Sequence, residues 1–442
     1  MLYLSELIGK RIVDRQGNTM ARVRDVVAEL VAPSEDAPEE AALDDEGEPV
    51  ERDVPIIKGL VARTGRRRQP FFLPIAQVQS LARDGARIRS SKLDLEPFER
   101  REGEMLLTRD LWDKQVIDLE RRRVVRVNDI LIASATADAN APRWWVRGVD
   151  VGVGSLLRRV HLAGAATAVA PKAVQPYIVR WQHIDVFGSN VPGGVPLGHK
   201  KLANLHPVEI ARITDAVSYH QGAEIISSLD DTLAADTLEE IDENRQTDIM
   251  EQIPEERAAD ILEEMAPDEA SDLLGDMPEE KAGALLEEMD QEDAQEVRQL
   301  MRYSEDSAGG TMTTDFVCCT PNMTVSDVIE ANKPVFLTAD LIYYIYVVTS
   351  QATKELVGLI TVRDLLVHVH DRKVGDFMLT DLLTVGPSEN QRDVARKMAE
   401  YNLLALPVVD ADNILLGVVT VDDALDALLP EGWKKRLPRI FS

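Results

Sequence analysis

The sequence predicts a multidomain chain: two small antiparallel β-barrels, an all-α superhelical solenoid of short helices, and an α+β module built from a repeated strand–helix unit. Three internal repeats carry that prediction. LIGKRIVDRQGNTMARVRDVV from Leu7 returns as LWDKQVIDLERRRVVRVNDIL from Leu111. A 12-residue period runs from Leu229 to Met301. VGLITVRDLL from Val357 returns as LGVVTVDDAL from Leu416. At 442 residues there is room for roughly three domains of about 150 residues.

In the first repeat an offset of 104 aligns Leu7 with Leu111, Asp14 with Asp118, Arg22 with Arg126 and Asp25 with Asp129. PFFLPIAQV from Pro70 likewise resembles PYIVRWQHI from Pro176. These segments alternate, are rich in Val and Ile, and are separated by turn residues such as Gly17-Asn18, the pattern of hairpins. They are expected to form barrels over 1–100 and 101–188, the first interrupted by an acidic, apolar-poor loop at 33–53. The segments resemble PRC-barrel domains, which implies interaction or assembly modules. For Arg66–Arg68 and Arg121–Arg123 two readings stay open: solvated hairpin tips, or contacts to phosphate. A Gly- and Pro-rich linker follows at 189–204, where FGSNVPGGVPLGHKK shows no apolar period.

The middle of the chain, expected as a solenoid over 205–303, is where the charge sits. Lys201 to Gly310 holds 31 Asp and Glu against 7 Lys and Arg, a net of −24 out of the chain's −28. Leu229, Ile241, Ile253, Met265, Met277, Met289 and Met301 recur every 12 residues, preceded by apolar pairs such as Ile261-Leu262 and Leu273-Leu274. That i, i+1, i+4 spacing is one helical face. PEE, APDE and DQED between the faces are helix starts, with Pro or carboxylates at the first turn. One short helix and one turn per period stack into a solenoid with a shared core. The residue before each apolar pair is Asp236, Asp248, Asp260, Asp272, Ala284 or Glu296, which points to an acidic edge or to a solvated helix face. Crowded surface carboxylates repel by about 1 kcal/mol or more per pair, and a divalent cation relieves that.

In the C-terminal repeat Gly358, Thr361 and Asp364 map onto Gly417, Thr420 and Asp423 at an offset of 59. Strand, turn, strand and Thr-capped helix, twice over, resembles a CBS-domain pair, expected at 304–371 and 372–430. A Thr at a helix start caps it and can approach a phosphate, and an Asp three residues on can bond ribose hydroxyls. Thr361 and Thr420 are therefore either caps alone or nucleotide contacts.

The order of acidic solenoid, RYSEDSAGGTMTTDFV from Arg302, and CBS pair resembles the cytosolic part of MgtE-type magnesium transporters over about 205–430. The SEDSAGG-x-MT joint is its most specific element. The resemblance implies a solenoid and a CBS pair that dimerise and hold Mg²⁺ between them. It places metal-binding carboxylates at Asp236, Asp268, Asp272, Asp423 and Asp426, and ATP or AMP contacts at Tyr344, Arg363 and Asp364, which join Thr361 and Thr420 of the repeated motif as candidate nucleotide residues. The chain departs from the family at Asn402, Asn390 and Arg392, which stand where carboxylates are expected, and at Leu403, which replaces an aromatic opposite Tyr344. Mg²⁺ favours oxygen ligands in near-octahedral geometry and retains waters, so a few surface carboxylates make a weak, sensor-grade site.

Other features exclude or narrow. No run approaches the roughly 18 apolar residues of a membrane span, so the chain is not expected to transport by itself. MLYLSELIGKR lacks the pattern of a signal peptide, and adjacent Cys318 and Cys319 make no disulfide framework, so a reducing cytoplasm is expected, with the inner membrane face as a peripheral location. A net acidic chain is not expected to bind nucleic acid. No nucleophile–base pattern, Walker loop or zinc spacing appears, and no enzyme activity is expected. His368 and His370 have poor spacing for helical metal ligands, and Cys318-Cys319 sits in a strand-like run. The tail at 431–442 carries Trp433, Lys434, Lys435, Arg436 and Arg439 and reads as a free basic tail or a lipid anchor. Three functions follow from these readings: a Mg²⁺-sensing regulator, homodimeric through its CBS pair and acting on a partner that includes a membrane protein in trans; an adenine-nucleotide sensor; or a ligand-independent adaptor.

Overall fold

The computed structural model describes residues 2–29, 54–64, 69–90, 97–101, 103–135, 143–152, 176–187, 201–338, 342 and 344–428. The acidic loop at 33–53, Arg66–Arg68, most of the linker at 189–204 and the tail at 431–442 lie outside them. The chain forms two compact units, Met1–Leu229 and Asp230–Ser442.

The first unit lays out one element order twice. β1 (Leu2–Tyr3), the single turn α1 (Leu4–Leu7), β2 (Arg11–Val13), β3 (Thr19–Glu29), β4 (Ile56–Arg63), β5 (Phe71–Pro74), β6 (Val78–Ala82) and β7 (Gly85–Ile88) come first. β8 (Glu104–Leu106), a π-helical turn at Leu107–Leu111, β9 (Gln115–Asp118), β10 (Arg123–Arg126), β11 (Asp129–Ala135), β12 (Arg143–Asp150), β13 (Ile178–Arg180) and β14 (Ile184–Val186) follow. Helices α2 (Pro207–Asp215) and α3 (Tyr219–Ser228) close the unit.

The strands of the two repeats, expected as two small barrels, share one sheet of order β1-β11-β12-β4-β3-β2-β7-β6, with β13 also paired to β12, β5 to β4 and β8 to β3. β10, β9 and β14 form a separate three-stranded sheet. One buried cluster collects side chains from Leu2 through Leu60 to Val146 and Val186. The two ends of the order nearly meet: Leu2, from β1, and Leu81, from β6, line the same cleft of about 280 Å³ with Ile132 and Trp144.

The joining is reciprocal. β1 pairs with β11 of the second repeat, Leu2 opposite Ile132. β8, the counterpart of β1, pairs with β3 of the first, Leu106 opposite Val27. An aspartate clasps each exchange, Asp129 buried and Asp25 partly so. Asp129 accepts hydrogen bonds from Ser5 N at 3.1 Å and Ser5 Oγ at 2.5 Å. Its counterpart Asp25 accepts one from Thr108 N at 2.8 Å. Burial pushes the Asp25 carboxyl up, against the lowering effect of its donors. Alternation decides which face of a strand is buried, but an edge can pair with any edge of matching register. Exchange lets two small repeats bury one larger core.

In the second unit the 12-residue period becomes one helix per repeat: α4 (Asp231–Glu239), α5 (Glu243–Met250), α6 (Glu255–Glu264), α7 (Pro267–Asp276), α8 (Glu279–Glu288) and α9 (Gln291–Leu300). The apolar pairs and the repeat-end residues from Ile241 to Met289 are all buried. Each helix packs against the next but one. The starts of α6 to α9 have no side-chain cap of their own. Carboxylates from two repeats earlier serve instead. Glu239 accepts from Ala266 N at 2.9 Å and Glu263 from Asp290 N at 2.5 Å, both 27 residues away. At the intervening repeat that position is Pro278, which has no N–H, and Glu251 pairs with Lys281 at 3.2 Å. Part of the acidic composition is thus helix-start chemistry.

Beyond the joint come β15 (Val317–Cys319), α10 (Val325–Ala331), α11 (Lys333–Thr338), β16 (Tyr344–Val348), β17 (Leu356–Thr361) and α12 (Val362–Val367), then α13 (Gln391–Tyr401), β18 (Ala405–Val409), β19 (Leu415–Thr420) and α14 (Val421–Leu428). Tyr346, Val348 and Leu356 of the first motif share a core with Ala405, Val409, Leu415 and Val418 of the second. The joint is close-packed: a Cβ on Gly310 would sit 2.3 Å from Ser304 O, and one on Gly417 would sit 2.6 Å from Met312 Sδ. Cys319 is buried in β15, as its strand-like run implies. His368 approaches Arg372 at 2.8 Å and stacks against Phe377.

Candidate functional site

The acidic residues of α4 and α7 and the start of α14 converge within the second unit. Asp268 lies in the first turn of α7 and Asp272 one turn later, so both project from one face. Asp268 is buried, 7% exposed, and its Oδ1 has no hydrogen-bond partner among the described residues. Burial pushes its carboxyl well above the ordinary range, and the charges of Asp423, Glu269 and Asp272 push the same way. Asp272 keeps access to water, yet partial desolvation and the charges of Glu305, Glu243, Asp276 and Asp423 lift it to about 7. Glu239 is raised by burial, with Asp236, Glu240 and Asp423 adding to it against the Ala266 hydrogen bond.

Asp423 is the common neighbour of these three carboxylates. It comes from the second strand–helix motif and they come from the solenoid, so the field of one module reaches the acidic face of the other. Of the predicted metal ligands, the structure brings Asp268, Asp272 and Asp423 into one electrostatic cluster, with Asp236 beside Glu239 at its edge. Asp426 falls in α14, and its side chain lies outside the described residues. Sequence reasoning missed Glu239, Glu243, Asp276 and Glu305. Two of them had a legible signal: Glu239 is one turn after Asp236, and Glu305 is the acidic residue of the SEDSAGG joint.

A buried, unpartnered carboxylate oxygen among like charges calls for a cation. Protons meet the need by neutralising Asp268 and Asp272. A hard divalent ion meets it with the carboxylates ionised, taking their oxygens as ligands. A second group, Glu263, Asp290 and Asp293, places one oxygen from each within 4.8 Å of the others. There Glu263 is already engaged with Asp290 N.

The family departures have local explanations. Asn402 closes α13 in the left-handed conformation, φ 53°, which Asn tolerates well. Asn390 caps the same helix, accepting from Arg392 N at 3.0 Å, and also donates to Asp306 O at 3.3 Å. Leu403 packs on the core of the second motif.

The predicted nucleotide residues are only partly assembled. Tyr344 stands directly opposite Thr361 across β16 and β17. Thr361 Oγ1 donates to Asp364 Oδ2 at 2.7 Å, and Thr420 Oγ1 to Asp423 Oδ2 at 2.6 Å. Thr324 and Asp327 make the same bond at 2.7 Å before α10. The T-x-x-D pattern is thus a capping box at Thr324 and Thr361, and at Thr420 the Asp423 carboxylate accepts from both the backbone N and Oγ1 of the threonine. Arg363 is exposed, and Thr420 pairs with Ala405 in the other motif, apart from the Tyr344–Thr361 pair.

An acidic solenoid and a two-motif strand–helix module thus share one compact unit. Residues 205–306 match the MgtE intracellular N domain, and residues 308–371 and 374–430 match the CBS domain. The chain therefore carries an MgtE N domain followed by a CBS pair. It is 39% identical over 136 residues to the magnesium transporter MgtE of Enterococcus faecalis and 42% identical over 136 residues to that of Thermus thermophilus. Each match covers 31% of this chain and 30% of the relative, so the chain spans under a third of those transporters. Among solved structures, the cytosolic domain of the Mg²⁺ channel MgtE in complex with ATP is 32% identical. It superposes with a TM-score of 0.50 over 55% of this chain and 98% of that one. Among the described residues no helix is long and apolar enough to cross a membrane.

Proposed function

We propose that this protein is a cytoplasmic Mg²⁺ sensor in which the ion bridges the acidic faces of the solenoid and the CBS pair and thereby controls a partner, including a membrane protein in trans. The observation that carries the reading is Asp423, whose charge acts on Asp268, Asp272 and Glu239 together. Asp268, Asp272 and Asp423 would hold the ion, with water completing its shell. The ion shifts the module only by its preference for the docked form over the open one. Homodimerisation through the CBS pair belongs to this reading. Leu366, Val367 and Val369 at α12 and Leu425 and Leu428 on α14 are exposed apolar side chains open to a second copy.

In scattering and thermal melting, millimolar Mg²⁺ is expected to compact the protein and raise its melting temperature. Asp423→Ala is expected to remove much of both effects. An unchanged Mg²⁺ dependence in that variant would reject Asp423 as a ligand.

The raised carboxyls fix the sign of a pH effect. A folded-state pKa above the unfolded value contributes stability below the unfolded pKa that is lost as pH rises through the folded one. Asp272 sits at about 7 against an ordinary 3.8, and Asp268 is raised as well. Metal-free protein should therefore lose stability from about pH 4 to pH 7, and saturating Mg²⁺ should flatten that loss. Melting curves in both conditions check it; a metal-free stability that rises over this window contradicts the site.

A second reading, an adenine-nucleotide sensor, is favoured by the Tyr344–Thr361 pairing and by the ATP complex of the solved relative. Among the described residues Asp364 Oδ1 has no protein donor, which leaves it for a ribose hydroxyl. Calorimetry with ATP, AMP and Mg²⁺ separates the two readings. A ligand-independent adaptor would respond to none of them.

A further inference from the structure

The sheet domain buries several aspartates and exposes a set of arginines. Asp14, Asp110, Asp118, Asp129, Asp150 and Asp185 are buried. Several of the strands' arginines are exposed, and some of them line up. Arg11 on β2 stands directly opposite Arg22 on β3, and Arg22 directly opposite Arg63 on β4. The three form one row across adjacent strands. Arg24 lies two residues along β3, and Arg87 on β7 stands opposite Val13, the outward neighbour of Arg11. All five are exposed, while Ile12, Ala21, Val23, Ala62 and Ala86 between them enter the core. Among the described residues none of the five makes an ion pair; Arg22 donates to Gly9 O at 2.9 Å.

Like charges placed directly opposite each other weaken a sheet. The fold does not need this arrangement, because the second repeat builds the equivalent hairpin without it. There Arg126, the counterpart of Arg22, faces Gln115, the counterpart of Arg11. A row that opposes folding and that its own repeat dispenses with is a candidate for recognition.

We infer that the Arg11–Arg22–Arg63 row, flanked by Arg24 and Arg87, is a docking surface for the phosphates of an anionic phospholipid membrane. Guanidinium groups present planar forks to phosphate oxygens. Strands about 4.8 Å apart set three of them side by side on one outer face, where more than one headgroup can be met at once. No large aromatic side chain is exposed among the described residues before Tyr219, so the face has no platform for stacking bases. The choice of a membrane also rests on the proposed function, which places the partner there.

Sedimentation of the full chain with vesicles tests the surface. Phosphatidylglycerol vesicles should pellet the protein, less so as salt rises, and phosphatidylcholine vesicles should not. Each arginine lost should lower partition roughly five-fold, so Arg11→Gln/Arg22→Gln/Arg63→Gln should lose about a hundred-fold. Glutamine is the residue the second hairpin already accepts at this site. Arg22→Gln alone, with about a five-fold loss, covers the event that the triple variant does not fold. Arg121→Gln/Arg123→Gln/Arg126→Gln removes the same charge elsewhere and should keep binding within a few-fold. No pelleting with phosphatidylglycerol, equal losses in both triple variants, full retention in the first, or tighter binding to duplex DNA than to vesicles at the same salt would each overturn the inference. The Mg²⁺ response of the variants is read separately by melting. Its persistence without vesicle binding defeats the docking surface alone, and its absence beside intact vesicle binding defeats the sensor alone.

Discussion

Asp268→Asn is expected to raise the melting temperature of the metal-free protein and to abolish its response to Mg²⁺. Asp268 is buried with one oxygen unpartnered, beside the charges of Asp423, Glu269 and Asp272. A buried charge without a counter-charge is strongly unfavourable. At a pH where the Asp268 carboxyl is ionised, asparagine keeps the shape and removes the charge, so a gain of about 1–3 kcal/mol is expected without metal. In a unit of this size that is roughly 2–4 °C per kcal/mol. With Mg²⁺ the order reverses. A ligand at a hundred times its dissociation constant adds about 2.7 kcal/mol to the wild type, and the variant, short of an anionic ligand, receives little of it. Melting both proteins with chelator and with excess Mg²⁺ measures all four values. A variant that is less stable than wild type in chelator and still gains from Mg²⁺ would show that Asp268 is a structural residue.

Asp129→Ala is expected to have the largest effect in the first unit, a loss of about 3–5 kcal/mol in urea unfolding. Asp129 is fully buried and accepts from Ser5 N, Ser5 Oγ and Ile130 N. Alanine leaves those buried donors without their acceptor, at about 1–3 kcal/mol each before relaxation. The loss also loosens the attachment of β1 to the other repeat, because the Ser5 bonds hold the turn that follows it. Asp25→Ala should act in the same direction and less strongly, since Thr108 supplies one backbone bond there. The Mg²⁺ response of the second unit should survive in both. A loss under 1 kcal/mol for Asp129→Ala would mean that the exchanged strand holds by packing alone.

The two variants mark the boundary of what local pattern can say. Helices α4 to α9 follow the 12-residue period because apolar spacing and helix starts are local properties, set within one turn. The T-x-x-D caps are legible for the same reason, which is also why that motif could not distinguish a cap from a nucleotide contact. The repeat at offset 104 correctly announced two equivalent runs of strands. It said nothing of which run β1 would join, since a two-residue strand has no register preference of its own. Glu243 and Asp276 carried no local signal among the chain's 77 acidic residues.

By itself the sequence determined the element types, the apolar faces, the acidic character of the solenoid and the kinship of its second half, because each is encoded within a few residues or in one repeat period. Only the tertiary structure decided that Asp423 shares a field with Asp268 and Asp272, that two strand repeats exchange β1 and β8, and that three arginines align across β2, β3 and β4. Those are relations between segments far apart in the chain. Their energies depend on distance and on exclusion of water, and neither quantity exists until the chain has folded.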